Sequence, residues 1–232
     1  MTERELRAFH ARNPGATSRA FAKTGSYARL AAAVAGAERV LDLACGDRVT
    51  PGAIGVDLSL EELSRTAGPR VVARAQALPF GDASFDAVVC HLAFMLFDDI
   101  ERVVAELARV IAPGGTFAAL VGGGPVEGAG ERDAFHRFLA IAKPHVRSLA
   151  LGDPRAKSER GWRELFAGWS EPRFERVELE LGGTFDEAWD FVGASYQLDP
   201  AFADRVRDEL RAELGDRASC RVACFVATVI RR

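Results

Sequence analysis

Short apolar runs without alternation punctuate the first half of the chain, at residues 40–44, 54–56, 71–73, 85–90 and 117–121. Runs of that length, apolar on both faces, predict parallel strands buried on both sides. Helical stretches lie between them. Residues 27–35 are rich in alanine and have high helix propensity. Ser59-Leu60-Glu61-Glu62 has the form of a capping box, in which the Ser hydroxyl and the Glu carboxylate reciprocally satisfy free amides, so a helix starts there. Across residues 98–111, Ile100, Val103, Val104, Leu107, Val110 and Ile111 recur at steps of three and four and form one buried stripe. Strands alternating with helices predict an α/β fold with a doubly wound, mostly parallel sheet, whose ligands gather beyond the carboxyl ends of its strands.

At Gly122 the pattern changes. Gly122-Gly123-Gly124-Pro125 and Gly128-Ala129-Gly130 predict a loop, followed by a helical, aromatic-bearing stretch at 134–142 taken as an insertion over the site. Helical segments at 161–167 and 185–196 flank a strand at 174–181, in which Val177, Leu179 and Leu181 alternate with Glu178 and Glu180. A further helix at 201–214 precedes a closing strand at 221–230, with Val222, Cys224 and Val226 facing one way.

Composition narrows the function classes. A chain of 232 residues with 48% hydrophobic and 27% charged residues has the usual globular mix. Its net charge of -3 supplies no basic field for a phosphate backbone, which disfavours nucleic acid as a partner. The four cysteines, Cys45, Cys90, Cys220 and Cys224, form no close pair and no zinc-ligand spacing, so no metal is expected and all four read as small buried hydrophobes. The charged opening and the lack of any apolar run near the ~20 residues of a membrane span point to a cytoplasmic protein without a membrane partner.

Candidate chemistry concentrates after the first strand. In Val40-Leu41-Asp42-Leu43-Ala44-Cys45-Gly46-Asp47 a strand bearing a carboxylate runs into a glycine turn, where backbone amides can approach a ligand closely. Asp57 ends the next strand, where an acid accepts hydrogen bonds from a ribose diol. A nicotinamide site would need three glycines in Gly-x-Gly-x-x-Gly, and this turn has only Gly46, with Arg48 where another would fall.

Together with Gly55-Val56-Asp57-Leu58-Ser59, Ala77-Leu78-Pro79-Phe80 through Asp86, and Ile111-Ala112-Pro113-Gly114-Gly115, this turn resembles the class I S-adenosylmethionine-dependent methyltransferase family. The likeness is strong over about residues 25–121 and weak in the C-terminal third. It implies a seven-stranded Rossmann-like sheet with helices on both faces, an antiparallel C-terminal edge hairpin and a helical cap. Residues 1–232 then form a single domain, with a helical lead at 1–37, a cofactor-binding half at 38–121 and cap segments at 122–170 and 183–215. The implied cofactor is S-adenosyl-L-methionine, with S-adenosyl-L-homocysteine as product.

Carried over residue by residue, the resemblance makes Asp42 the acid of the first motif and sets Ala44, Cys45 and Gly46 against the methionine portion. Asp57 falls on the ribose hydroxyls, Leu58 beside the adenine, Ala75 and Gln76 at its edge, and His91 beside the transferred methyl. Two departures stand out. The adenine-edge segment Ala73-Arg74-Ala75-Gln76 lacks the family's acid, which shifts recognition to Gln76 or backbone. Only residues 47–53 separate the glycine turn from the second strand, whereas a parallel crossover with its helix takes about a dozen, so the first helix is nearly absent.

For a hydroxyl acceptor, a histidine near the methyl would remove the proton, and His91 is the candidate base, or else a strand cap bonded to backbone. His10 could approach from the lead and His136 from the insertion, though both also read as surface residues. Met95, Trp189 and Tyr196, with Phe94 and Phe97, could line an acceptor pocket or belong to the core. The lead is expected to fold over the cofactor, with Arg19 or Tyr27 near its carboxylate. The function expected is methyl transfer to an oxygen or nitrogen atom of a small organic molecule, as in natural-product biosynthesis. The alternatives are a non-catalytic binding protein of the same fold and an RNA-modifying methyltransferase.

Overall fold

A computed structural model describes residues 3–130, 132–145, 152–194 and 198–232. Three helices come first, α1 (Glu3–Arg12), α2 (Ala16–Phe21) and α3 (Ser26–Ala32). The alternating half follows as β1 (Val40–Leu43), β2 (Ile54–Asp57), the single turn α4 (Leu60–Leu63), β3 (Arg70–Val72), β4 (Phe85–His91), α5 (Ile100–Val110) and β5 (Ile111–Pro125). The C-terminal third contains α6 (Ala134–Ala142), α7 (Glu159–Leu165), β6 (Arg173–Glu180), α8 (Phe185–Val192), α9 (Ala203–Leu214) and β7 (Arg221–Ile230). All seven strands join one sheet in the order β3-β2-β1-β4-β5-β7-β6. Neighbours from β3 to β5 pair in parallel, and β7 runs antiparallel to both β5 and β6. The expected α/β architecture, with its antiparallel C-terminal pair, is what forms.

No helix connects β1 to β2. The sheet has adapted to that shortage. Leu41, Leu43 and Val56 pack into the core on one face, and Ile54 packs against them. The opposite face presents the register pair Asp42 and Gly55 to the connecting loop. With no side chain on Gly55, the loop lies directly on the strand, and a Cβ there would sit 2.5 Å from Val49 Cγ2 and 2.9 Å from Cys45 Sγ. Asp42 is buried and accepts the Thr50 amide at 2.6 Å. A small residue and a hydrogen-bonding acid thus replace the apolar surface that a packed helix would need.

The glycine run after residue 121 is not a loop. β5 continues through it to Pro125, paired with β7 from Thr116↔Ile230 to Pro125↔Val222, with a register shift between Gly122 and Gly124. A Cβ on Gly123 would lie 2.9 Å from the Phe225 ring and 3.0 Å from the Ala223 carbonyl oxygen, so glycine permits close approach here rather than a turn. On one sheet face Trp162 stacks on Phe117 at 5.4 Å and 12°, and its Nε1 donates to the Ala156 carbonyl at 2.9 Å. On the other, Leu30 and Val34 cover Val89 and Ala118. α6, α8 and α9 bury Leu120, Cys224 and Val226 beside them. All four cysteines are buried and unpaired.

Candidate functional site

A cleft of about 1150 Å³, counting its open mouth, lies at the carboxyl ends of β1, β2 and β4, where the strand order reverses. Of the residues singled out in the sequence, Ala44, Cys45, Gly46, Asp57, Leu58, Ala75, Gln76, His91, Tyr27 and His10 line it. Asp42 lies beneath the glycine turn, holding the loop. Four candidates lie away from the lining. The Met95 sulfur accepts the Gly122 amide at 3.4 Å, His136 Nε2 donates to the Val126 carbonyl at 2.9 Å, and Trp189 stacks on Phe185. Arg19 donates to the Pro14 carbonyl at 2.7 Å. Tyr196 lies outside the described residues. Among the described residues the lining ends at Asp98, so the segments expected to cap the site cover the sheet instead, and the N-terminal lead covers the cleft.

Two acids clamp the short crossover from opposite ends. Asp57, on β2, accepts the Gly46 amide at 2.8 Å and the Ser59 amide at 2.8 Å, one on each oxygen. Asp42, on β1, holds Thr50 just before β2. Burial pushes the Asp42 carboxyl up to about 6, against hydrogen bonds from Thr50 that pull it down. Burial also raises Asp57, opposed by its amide donors. Between the clamps Ala44 adopts φ 55°, a left-handed conformation that costs a side-chain-bearing residue roughly 1–2 kcal/mol. Ala44→Gly should therefore leave the unfolding free energy unchanged or raise it by up to about 1 kcal/mol, the relief partly offset by glycine's unfolded-state entropy. Urea unfolding measures this, and a loss of more than about 1 kcal/mol would mean that the methyl group packs usefully.

Glu62 departs from the capping box. The Ser59 hydroxyl accepts the Glu62 amide at 3.2 Å, but the Ser59 amide already donates to Asp57, so the Glu62 carboxylate has no partner there. It turns instead to the lead, where one oxygen meets His10 Nδ1 at 2.9 Å and the other accepts the Gly15 amide at 2.9 Å. The box at Thr184 and Glu187 closes in full, because no such competitor precedes it. Glu62 is thus a buried staple that holds α1 and α2 against the cleft. In the sequence its only mark was the capping pattern itself.

Residues 24–119 match the family described as "Methyltransferase domain". A demethylmenaquinone methyltransferase of Corynebacterium urealyticum is 30% identical over 172 residues, an alignment covering 60% of this chain and 74% of that protein. The chain belongs to the class I S-adenosylmethionine-dependent methyltransferase family. Its cofactor is S-adenosylmethionine. Among solved structures, the YcgJ protein of Bacillus subtilis shares the fold with a TM-score of 0.57 and 21% identity, over 90% of this chain and 98% of that one. A Haemonchus contortus phosphoethanolamine N-methyltransferase in complex with S-adenosyl-L-methionine gives 0.58 at 15% identity, covering 96% of this chain and 57% of that one.

In this methyltransferase His91, which ends β4, is walled in by the lead. Its ring stacks on Tyr27 at 3.9 Å and 6°, Phe21 meets its edge, and its Nε2 lies 3.0 Å from the Ser26 hydroxyl. Among the described residues the buried Nδ1 has no partner. Burial, with the charge of Arg48 adding to it, lowers the imidazole to about 3. The unfolded chain takes up this proton near the ordinary value of about 6.5, so His91 stabilises the fold above that pH and the contribution is lost on acidification toward 3. Between about pH 7 and about pH 5 the wild-type urea midpoint should fall more than that of His91→Leu, and equal slopes would contradict the neutral, buried imidazole.

Proposed function

We propose that this methyltransferase acts in the cytoplasm on an oxygen or nitrogen atom of a small organic molecule, as in natural-product biosynthesis. The supporting observation is the fastening of α1 and α2 over the cleft through Glu62, which leaves an open-mouthed, largely apolar site walled in part by Leu6, Leu92, Leu96 and Phe97. Such walls suit a compact organic acceptor better than a polymer. The Corynebacterium relative is named for demethylmenaquinone, which makes a quinone, in its reduced form, an acceptor to test beside phenols and amines.

The residues present fit the cofactor. Gly46, at φ 60°, turns backbone onto the cleft, and each Asp57 oxygen keeps a lone pair beyond its amide partner for a ribose hydroxyl. When bound, S-adenosylmethionine supplies a methyl group on a cationic sulfur. Leu58 and Ala75 flank the site proposed for the adenine. Gln76 already donates to the Asp98 carbonyl at 2.6 Å, which fixes its side chain and leaves its oxygen as an acceptor. His91 stands in the cleft wall as a buried, neutral imidazole that binds a proton weakly, so positioning of the acceptor, not proton removal by His91, carries the rate. α1 and α2 form one wall of the cleft through Leu6, His10, Thr17 and Ser18.

Incubation with methyl-labelled S-adenosylmethionine and separate panels of phenols, reduced naphthoquinones, amines and transfer RNA tests the reading. Label should pass to a small-molecule class, identified by mass spectrometry. Transfer to RNA alone, or no small-molecule turnover by protein that binds the cofactor, would overturn it.

A further inference from the structure

The loop after the glycine turn carries a cation that the cofactor contacts described so far leave unused. Arg48 is exposed, and its guanidinium lies 4.2 Å from the centre of the Tyr27 ring. Tyr27 lines the cleft, and its ring stacks on His91. The ring thus lies between the imidazole and the guanidinium, and Arg48, itself outside the lining, directly follows Gly46 and Asp47, which line the cleft. Among the described residues Arg48 has no carboxylate partner, since the neighbouring Asp47 faces Arg65 at 3.9 Å. A guanidinium stacked on an aromatic face spends its face and keeps the N–H donors of its edge, the geometry that takes a carboxylate in two parallel hydrogen bonds.

Two facts about this chain give that arrangement a purpose. A helix starting at the glycine turn would point free amides and a positive dipole end at an anionic ligand group, and here no helix forms between β1 and β2. The ligand's amino-acid end nevertheless carries a carboxylate that needs a counter-charge. The other cations are less well placed. Arg19 is turned to the Pro14 carbonyl. Arg7 and Arg74 line the cleft, but Arg7 lies on α1 with its charge acting on Glu61 of α4, and Arg74 lies just after β3, so both stand on the side proposed for the nucleoside and not beside the glycine turn.

We propose that Arg48 binds the α-carboxylate of S-adenosylmethionine and of S-adenosylhomocysteine, in place of the helix terminus that the shortened crossover lacks. The proposal rests on the cofactor occupying this cleft. Titration calorimetry with two ligands separates the possibilities: S-adenosylhomocysteine carries the carboxylate, and 5′-methylthioadenosine shares the nucleoside but lacks the amino-acid end. Arg48→Met should weaken S-adenosylhomocysteine by roughly tenfold or more while 5′-methylthioadenosine changes by less than about twofold, with Arg48→Lys falling between. Unchanged S-adenosylhomocysteine affinity overturns the proposal. So does equal weakening of both ligands, which would leave Arg48 only a packing role on Tyr27. If the wild-type protein binds neither ligand, the cleft is not the cofactor site, a failure distinct from the other two.

Discussion

Asp57→Ala is expected to weaken S-adenosylhomocysteine binding by roughly ten- to a hundredfold, the equivalent of about 1.5–3 kcal/mol for hydrogen bonds to a charged group. Two losses combine. The carboxylate would no longer offer acceptors to the ribose hydroxyls, and the Gly46 and Ser59 amides, each 2.8 Å from it, would lose the partner that shapes the turn around the ligand. The ribose contacts belong to the nucleoside half, so 5′-methylthioadenosine should weaken as well, in contrast to the selective effect expected at Arg48, while the loosened Gly46 adds a smaller loss at the methionine end. Calorimetry on the same two ligands reads the difference. Unaltered affinity for both would remove Asp57 from the ribose site, and with it the placement of the cofactor along β1 and β2.

Those parts of the site that were legible in the sequence are the ones built from neighbours in the chain. The run from Asp42 to Gly46, the acid Asp57 and the segment from Ala75 to Gln76 line or support one cleft because each sits at the end of a strand. A parallel sheet brings strand ends together without further instruction. The missing helix was also visible, since too few residues separate Gly46 from Ile54 to contain one.

What could not be read depends on partners distant in sequence. Glu62 shows a capping pattern and instead binds His10 and Gly15, because Asp57 had already taken the Ser59 amide. Gly122, Gly123 and Gly124 look like a loop until β7 is laid beside them, with Phe225 over Gly123. Trp189 and Met95 have the composition of an acceptor pocket, and apolar residues at such spacing look the same in a core, where both pack. Arg48 stood out only as an obstacle to a glycine motif. Its place on Tyr27 follows from how α3 crosses the sheet, which no local pattern records.

Gly55→Ala should destabilise the fold by about 1–3 kcal/mol, the usual range for overpacking, although replacing glycine by alanine where the backbone permits it normally stabilises by about 0.4–1 kcal/mol. The reversal follows from the crossover. The added methyl would fall 2.5 Å from Val49 Cγ2 and 2.9 Å from Cys45 Sγ, so the loop must lift from β2. Lifting strains both clamps at once, since Thr50 is tied to Asp42 and Gly46 to Asp57. Cofactor affinity should fall together with stability, because Cys45 and Gly46 line the cleft. Val49→Ala removes the nearer obstacle and costs little by itself at a half-buried loop position, so the double variant should recover most of the lost stability. Urea unfolding of the two single variants and the double variant measures the coupling. Simple additivity would show that the loop does not rest on Gly55, and that something else lets this methyltransferase join β1 to β2 without a helix.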